Sequence, residues 1–298
     1  AARQQCTVAL TGDGGDELFA GYPTVLATRI SRFASRVAPR GFLESLARFA
    51  LQRMARHDGR PSRWELVGRF ASGLSEPCPH SQWRRLLMAK DAPSLYGPEL
   101  RPLLGQNPLQ AYDEAFFAAR GSWSDKALLA DQLHYLPGDL LAKSDLMSMA
   151  VGLEIRVPFL DRRVVEFAAN LDIWLLQPLG RSGKRLLRKV GATYGLPNVV
   201  LRAPKRGFNV PVAQLLRGPL LPLARRYLID QADALNGLFR PERLRSLVEE
   251  HVRRERDHGY VLWALLILSL WYQEHLAASQ PTVPRRFEAL SAAPVTGQ

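Results

Sequence analysis

A single strand-like run restricts what this 298-residue chain can fold into. The run "CTVAL", residues 6–10, is apolar and leads directly into a glycine-rich stretch. Almost every later segment has helical periodicity, so the sequence predicts a mainly α chain with one short strand. A lone strand leaves the backbone groups of both its edges unpaired. Either residues 6–10 are not a strand, or their sheet partners lie upstream of Ala1.

Proline and glycine breaks separate the helical segments that follow. Helices are predicted at 24–56 (broken at 39–41), 62–72, 81–89, 109–119, 124–135, 139–151, 162–169, 183–194, 211–216, 219–230, 241–256 and 260–276. We expect "LPG" at 136–138 to interrupt the chain of helices and Asp161 to cap the helix at 162–169. Residues 281–298 have no periodicity, which predicts a disordered tail.

The composition argues against several classes of protein. Two cysteines, Cys6 and Cys78, cannot build a disulfide framework, which indicates a reducing cytoplasm. The most apolar stretch, residues 261–271, is shorter than the roughly 18 residues that a membrane span needs. Much of the net charge of +12 comes from arginines between residues 29 and 63, which alternate with apolar residues such as Phe33. That alternation favours the solvated face of amphipathic helices over a surface that binds nucleic acid.

The stretch "LTGDGGDELFAGYP", residues 10–23, sets three carboxylates, Asp13, Asp16 and Glu17, among four glycines. A glycine-rich turn between a strand and a helix brings backbone N–H groups close to phosphate. Carboxylates repel bare phosphate, but they suit phosphate that is carried with Mg²⁺, which prefers oxygen ligands. A capped turn, with Asp13 or Asp16 as the N-cap and Glu17 facing the helix dipole, explains the same residues equally well.

Two further segments place charged side chains in unusual surroundings. "RAPKRGFNVP" puts Lys205 on a loop between prolines, where a lysine can close over a phosphoryl group or can simply be exposed. In "LLAKSDLMSMAVGLEIRVPFLD" the charges lie among apolar residues and must pair or bind something. We expect Lys143 to face a site and Asp145 to pair with Arg156. The run "GRSGKR" at 180–185 lacks the glycine spacing and the hydroxyl residue of a P-loop.

These segments, taken in order, resemble the synthetase domain of glutamine-dependent asparagine synthetases. The likeness rests on "LTGDGGDELFAGYP", "LPGDLLAKSDLMSMAVGLEIRVPFLDRRVVEFA", "GKRLLRKV", "LRAPKRGFNVPVAQLL" and "WALLILSLWYQEH". It implies the C-terminal part of an α/β adenine-nucleotide alpha hydrolase-like (PP-loop ATPase) domain that carries a large helical region. Residues 1–23 would be the last strand and the acidic loop of the nucleotide-binding core, and residues 24–280 the helical region.

The resemblance also implies a reaction, that of an ATP-dependent ligase forming C–N bonds. Aspartate would attack Mg-ATP to give β-aspartyl-AMP and pyrophosphate, and ammonia released from glutamine would then displace AMP. Relatives that close β-lactam rings, cyclise lasso peptides or amidate secondary metabolites or polysaccharide precursors share the activation step and stay as alternatives. A non-enzymatic helical partner of a split synthetase is a further alternative.

The resemblance assigns roles to four residues of the reaction centre. Asp13 falls at the acidic position tied to forming the acyl-adenylate, where many relatives have the longer Glu. Lys205 matches the loop lysine that stabilises the intermediate and the departing pyrophosphate. Lys143 and Arg156 match positions that line the aspartate pocket.

The resemblance further implies a nucleotide site and a longer protein. Thr11 and Gly12 fall where the family holds ATP, Asp16 and Glu17 are the other nucleotide-binding candidates, and Asp16 is the Mg²⁺ candidate. The family's amidotransferase domain with its N-terminal Cys, and its pyrophosphate-binding loop Ser-Gly-Gly-x-Asp-Ser, are absent from these residues. We therefore expect the C-terminal part of a longer cytoplasmic synthetase that is inactive alone, with a homodimer as a candidate assembly.

Overall fold

A computed structural model describes residues 1–37, 39–53, 63–74, 76–88, 90–179, 183–203 and 210–276. The chain divides into two compact units. Unit 1 consists of residues 1–88 and 105–211, and unit 2 consists of residues 89–104 and 212–298. The chain therefore contributes a short early segment to unit 2 before it completes unit 1.

Helices dominate both units. In chain order the strands and α-helices are β1 Val8–Leu10, α1 Gly15–Leu18, α2 Pro23–Val37, α3 Arg40–Arg53, α4 Arg63–Leu74, α5 Pro79–Gln82, α6 Ala92–Leu95, α7 Gln110–Ala118, α8 Trp123–Ala130, α9 Ala142–Met149, β2 Glu154–Arg156, α10 Arg162–Ala169, α11 Ile173–Leu176, α12 Arg185–Thr193, α13 Asn198–Leu201, α14 Val212–Arg217, α15 Leu221–Arg225, α16 Pro241–Val252 and α17 Gly259–His275. Two π-helices, Asp131–Leu141 and Arg226–Asp230, and short 3₁₀ turns at Ala2–Gln4, Arg101–Leu103, Pro158–Leu160 and Ala232–Leu235 complete the described elements.

The predicted strand forms, but its partner is not where we expected it. β1 pairs in parallel with β2, and Val8, Ala9 and Leu10 face Glu154, Ile155 and Arg156. The amide of Thr11 extends this ladder by donating to the carbonyl oxygen of Arg156 at 3.0 Å. The partner strand thus lies downstream, inside the segment between α9 and α10, and the expectation that β1 is paired only by upstream strands is wrong.

Most of the predicted helices are present near their expected bounds. The break at 39–41 separates α2 from α3, and Asp161 caps α10 by accepting from the amide of Arg163 at 2.9 Å. The helix expected at 81–89 is only the single turn α5.

The expected interruption at 136–138 does not occur. Pro137 lies inside the π-helix Asp131–Leu141, which joins α8 to α9. Proline lacks an N–H group and its ring clashes in an α-helix interior, and the wider π turn accommodates it. α8, the π-helix and α9 therefore form one continuous helical column, residues 123–149, that passes through the proline.

The buried faces of the helices are partly those that periodicity predicts. In α16, Leu244, Leu247 and Val248 are buried as expected. In α2 the expectation is wrong: Phe33 is 63% exposed, while the polar residue Ser31 is fully buried. Among the described residues, none of the helices combines the length and apolar character that crossing a membrane requires.

A compact apolar core lies directly behind the acidic glycine-rich stretch. It is formed by α1, α2, α8, α10 and α11 and the turn after α1, and its buried members are Leu18, Phe19, Ala20, Val25, Leu128, Ala168, Ile173 and Leu176. The short helix α1 is therefore held by packing as well as by its own hydrogen bonds.

Candidate active site

The loop between β1 and α1 (residues 11–14) is built for close backbone approach. Gly14 has φ of 80°, a left-handed conformation that glycine adopts without strain, and a Cβ there would lie 2.6 Å from the Leu160 side chain. Gly12 is exposed, and a Cβ there would have no neighbour within 4 Å. The backbone at Gly12 therefore faces open space, where a ligand can reach it.

Asp13 is the partly exposed carboxylate of this loop, and two hydroxyl groups hold it. Thr11 Oγ1 donates to Asp13 Oδ2 at 3.0 Å, and Ser144 Oγ of α9 donates to the same oxygen at 3.2 Å. The loop follows the carboxyl ends of two parallel strands, which is where open α/β sheets bind their ligands. The predicted residues Thr11, Gly12 and Asp13 are thus brought together at that edge of the sheet.

Asp16 forms an ion pair instead of facing an open site. Its Oδ1 lies 2.9 Å from Lys184 Nζ, and both side chains are only partly exposed. Lys184 has φ of 61°, and its amide donates to the Phe19 carbonyl oxygen at 3.0 Å. A Cβ at Gly21 would collide with Asp16 Oδ1, so glycine is required beside the pair. Mg²⁺ binding by Asp16 stays a prediction, and it requires the ammonium group to give way to the cation.

Glu17 lies on the inner side of α1. Its carboxylate accepts a hydrogen bond from the Tyr22 hydroxyl at 2.5 Å, and the residue is 1% exposed. Burial raises the pKa of Glu17 above its usual value, although the hydrogen bond from Tyr22 opposes the shift. The structure therefore does not support the direct contact between Glu17 and a nucleotide that the sequence suggested.

The candidates for the aspartate pocket are exposed and paired locally. Lys143 Nζ lies 3.9 Å from Asp139 Oδ1 on the same helical column. Arg156 Nε contacts Glu154 Oε1 at 2.8 Å, so the expected pairing of Arg156 with Asp145 is corrected. Lys143 directly precedes Ser144 on α9. The hydrogen bond from Ser144 to Asp13 places α9 against the loop that carries Asp13. Lys205 lies outside the described residues.

The donor set fits a metal that arrives with phosphate better than a cation cage made by the protein alone. In the part of the chain that the structure describes, no three His, Cys, Asp or Glu side chains form a metal-binding group. In phosphate-binding sites Mg²⁺ commonly takes one or two carboxylates and completes its shell with phosphate oxygens and water. Asp13, beside the open backbone at Gly12, can supply such a carboxylate.

Sequence reasoning missed two residues of this site. Ser144 is adjacent to the predicted Lys143, but nothing in the helical pattern indicates that its hydroxyl reaches Asp13. Lys184 belongs to "GRSGKR", which fails as a P-loop, and its contact with Asp16 joins segments far apart in the chain. The resemblance includes this segment as "GKRLLRKV" but assigns no role to Lys184.

Sequence comparison with known proteins identifies relatives of the chain. The family model described as "Asparagine synthase" matches residues 1–273. The chain is 30% identical over 277 residues to "Asparagine synthetase [glutamine-hydrolyzing] 1" of Bacillus subtilis (strain 168), covering 91% of this chain and 41% of that protein. It is 28% identical over 309 residues to "Putative asparagine synthetase [glutamine-hydrolyzing]" of Mycobacterium bovis, covering 95% of this chain and 42% of that protein. No solved structure matches the chain at a significant level.

These matches define the family to which the chain belongs. The chain belongs to the asparagine synthase family, which confirms the resemblance seen in its motifs. It spans about two fifths of the length of the curated relatives it matches.

Proposed function

We propose that this chain is the C-terminal part of the synthetase domain of a glutamine-dependent asparagine synthetase, working in the cytoplasm. The observation that carries the proposal is Asp13, held by two hydroxyl groups on an open glycine loop at the carboxyl ends of parallel strands. In the proposed reaction an aspartate side-chain oxygen bonds to the α-phosphorus of ATP and pyrophosphate leaves. Ammonia then bonds to the acyl carbon, AMP leaves, and ammonia's extra proton passes to solvent.

The charged residues of the chain have different proposed roles according to the sign of their charge. ATP, bound with Mg²⁺, would supply the adenylyl group that activates the aspartate side chain. Asp13 offers a carboxylate to the metal that accompanies the phosphates, and the backbone at Gly12 and the Thr11 hydroxyl lie beside it. Lys205 offsets negative charge on the departing pyrophosphate. Lys143 and Arg156 supply cationic groups for the carboxylates of aspartate.

The rest of the nucleotide site is proposed to come from the part of the relatives' length that this chain does not span. In the described part of the chain, β1 and β2 form a sheet of two parallel strands, and Leu10 of β1 is exposed. Parallel sheets are normally covered on both faces and extended by further strands. We propose that a preceding α/β segment adds strands here and brings the pyrophosphate-binding loop. The 298-residue chain alone should then form no asparagine from aspartate, ATP and ammonia.

The test is isotope exchange between pyrophosphate and ATP in the protein as its gene encodes it. Aspartate-dependent exchange should fall at least about a hundredfold in Asp13→Asn, because the substitution removes the carboxylate charge that would hold Mg²⁺ at the reacting phosphates. Asp233→Asn, which changes an exposed carboxylate of unit 2, is the matched control and should keep full exchange. Both variants should have the circular dichroism spectrum of the wild type.

Two outcomes would contradict the proposal. Full exchange in Asp13→Asn would remove Asp13 from the reaction. Exchange that depends on another carboxylic acid, with none from aspartate, would keep the activation chemistry and replace the acyl substrate, as in the β-lactam-forming or peptide-cyclising alternatives.

A further inference from the structure

The proposed mechanism makes no use of Glu17, although its carboxylate is one of the most deeply buried in the described residues. Removing a carboxylate from water costs free energy, and the hydrogen bonds that the group makes in the folded protein must offset this cost. Two side chains among the described residues donate hydrogen bonds to Glu17. The Tyr22 hydroxyl donates to its side chain at 2.5 Å, and the Gln132 amide donates to its backbone carbonyl oxygen at 3.2 Å. Both fix the helix α1 that begins directly after the loop of Asp13.

Tyr22 is itself held by a cation. The Arg84 guanidinium lies 4.8 Å from the centre of the Tyr22 ring and 3.9 Å from the centre of the Tyr135 ring. The two tyrosine rings meet edge to face, with their centres 5.9 Å apart. A guanidinium over aromatic faces is attractive and orients the rings. The direction in which the Tyr22 hydroxyl points is therefore set by packing as well as by Glu17.

Arg84 in turn is fixed by a fully buried carboxylate. Arg84 Nη2 donates to Asp131 Oδ2 at 2.6 Å, and the Tyr112 hydroxyl donates to Asp131 Oδ1 at 2.6 Å. His80 Nε2 lies 3.2 Å from Asp131 Oδ2. Asp131 has no exposed surface. We call Asp131 with Arg84, Tyr112 and His80 the Asp131 cluster.

The contacts of His80 extend the Asp131 cluster to Thr28 on α2. Thr28 gives its single hydroxyl proton to the Thr24 carbonyl oxygen at 2.8 Å. His80 Nδ1 lies 2.7 Å from that hydroxyl, and His80 Nε2 lies 3.2 Å from Asp131 Oδ2. A buried network of this kind rigidifies its surroundings, and the contact with Asp131 gives Arg84 a fixed anchor.

We propose that Glu17 and Tyr22 are positioning residues that hold the acidic loop in the shape that presents Asp13, with Arg84 and the Asp131 cluster as their anchor. The mechanical part of this inference concerns the order of residues 12–18 in the absence of any ligand. The catalytic part, that this order speeds acyl-adenylate formation, rests on the proposed function.

Tyr22→Phe tests the mechanical part, because it removes the hydroxyl and keeps the ring against Arg84. Amide hydrogen exchange at residues 12–18 of the full-length protein without nucleotide should become at least about tenfold faster, as expected when a buried hydrogen bond is lost. Tyr135→Phe is the matched control, since Tyr135 contacts the same guanidinium but not Glu17. It should change exchange in this segment less than twofold.

Glu17 variants provide a second route if Tyr22→Phe folds poorly. Glu17→Gln keeps an oxygen that can accept from Tyr22 and should preserve slow exchange at residues 12–18. Glu17→Leu removes the acceptor and should speed exchange about as much as Tyr22→Phe. Equal exchange in the wild type, Glu17→Leu and Tyr22→Phe would overturn the inference.

Kinetics test the catalytic part. In the pyrophosphate exchange assay, Tyr22→Phe should lower kcat about tenfold while the KM for ATP stays within twofold, because the loop is misplaced in the reacting state only. Faster amide exchange with an unchanged kcat would overturn the catalytic part and leave the proposed function intact. A wild-type protein with no carboxylate-dependent exchange would contradict the proposed function, and the amide exchange comparison would still decide the mechanical part.

Discussion

Asp131 in unit 1 and Glu250 in unit 2 make the same kinds of contact, but the two networks support different parts of the molecule. Each carboxylate accepts from an arginine at 2.6 Å, from a hydroxyl group and from a histidine. For Glu250 the partners are Arg243, Ser246 and His258. The two differ in burial, because the Asp131 side chain is 0% exposed and that of Glu250 is 25% exposed.

They also differ in what lies beyond them. The partners of Asp131 continue through Arg84 and Tyr22 to the loop of Asp13. The partners of Glu250 lie on α16 and at the start of α17, and they join these two helices at their turn. Local chemistry alone therefore does not distinguish a network that supports a candidate active site from one that supports only the fold. The two networks are distinguished by whether further contacts connect them to a candidate reactive group, as Arg84 and Tyr22 connect Asp131 to the loop of Asp13.

The largest expected effect comes from breaking the more deeply buried network. Asp131→Asn leaves the charge of Arg84 in a protein interior without a counter-charge, which typically costs about 3–5 kcal/mol. Unit 1 should then open far more often. Cys78 reports this opening, because its thiol is buried and burial raises its pKa to about 11.

The measurement is the rate at which Cys78 reacts with a thiol reagent in a Cys6→Ser background, which removes the exposed cysteine. We expect an increase of at least about a hundredfold, as a cost above about 2.7 kcal/mol implies. Asp139→Asn, an exposed carboxylate in the same π-helix, should change the rate less than threefold. An unchanged rate in Asp131→Asn would mean that the Asp131 cluster carries little of the stability of unit 1.

The corresponding change in unit 2 should be milder. In Glu250→Gln, Arg243 loses its counter-charge and His258 loses its charged hydrogen-bond partner. Water reaches this cluster and screens what remains, so we expect stability to fall by about 1–2 kcal/mol. Hydrogen exchange in α16 and α17 measures this loss. Glu249→Gln, the exposed neighbouring carboxylate, is the control and should change exchange little. A loss in Glu250→Gln as large as in Asp131→Asn would show that burial is not what separates the two networks.

The sequence predicted helices and the acidic loop well because both depend on local pattern. The strand β1, the break between α2 and α3 and the cap at Asp161 all follow from neighbouring residues. β2 was missed because it is three residues long and becomes a strand only by pairing with β1. Pro137 was misjudged because proline ends α-helices, whereas here the turn widens around it.

The parts of the site that the sequence missed depend on contacts between distant segments. Ser144 reaches Asp13 and Lys184 reaches Asp16 only after the chain has folded around the core behind α1. Glu17 was grouped with Asp13 and Asp16 because all three share a short segment. A single helical turn, however, carries residues to opposite sides, and Glu17 faces inward.

Arg29 was assigned to a solvated face, yet its guanidinium lies 3.7 Å from the centre of the Trp174 ring.

Lowering the pH should distinguish the two units by a smaller and gradual change in stability. In unit 2, His251 accepts at Nδ1 from the amide of His258 and contacts the Ala213 carbonyl oxygen through Nε2, so it is neutral. Burial lowers the pKa of both histidines, although Glu250 opposes the shift at His258. The unfolded chain therefore takes up protons first as the pH falls below about 6.5, and stability is lost from there down to the lowered values.

In unit 1 the shifts at Glu17 and Asp131 predict the opposite behaviour between pH 7 and pH 5. The raised pKa of Glu17 makes its contribution largest at low pH, and it is lost only as the pH rises through the raised value. The pKa of Asp131 is lowered because His80, Arg84 and Tyr112 outweigh the effect of burial, so its contribution is lost only below about 3.9. Hydrogen exchange corrected for intrinsic rates should therefore show α16 and α17 losing protection at pH 5 while α8 keeps it. His275→Gln, at the exposed end of α17, should leave this pattern unchanged, and equal losses in both units would contradict the assignment of the acid-sensitive groups to unit 2.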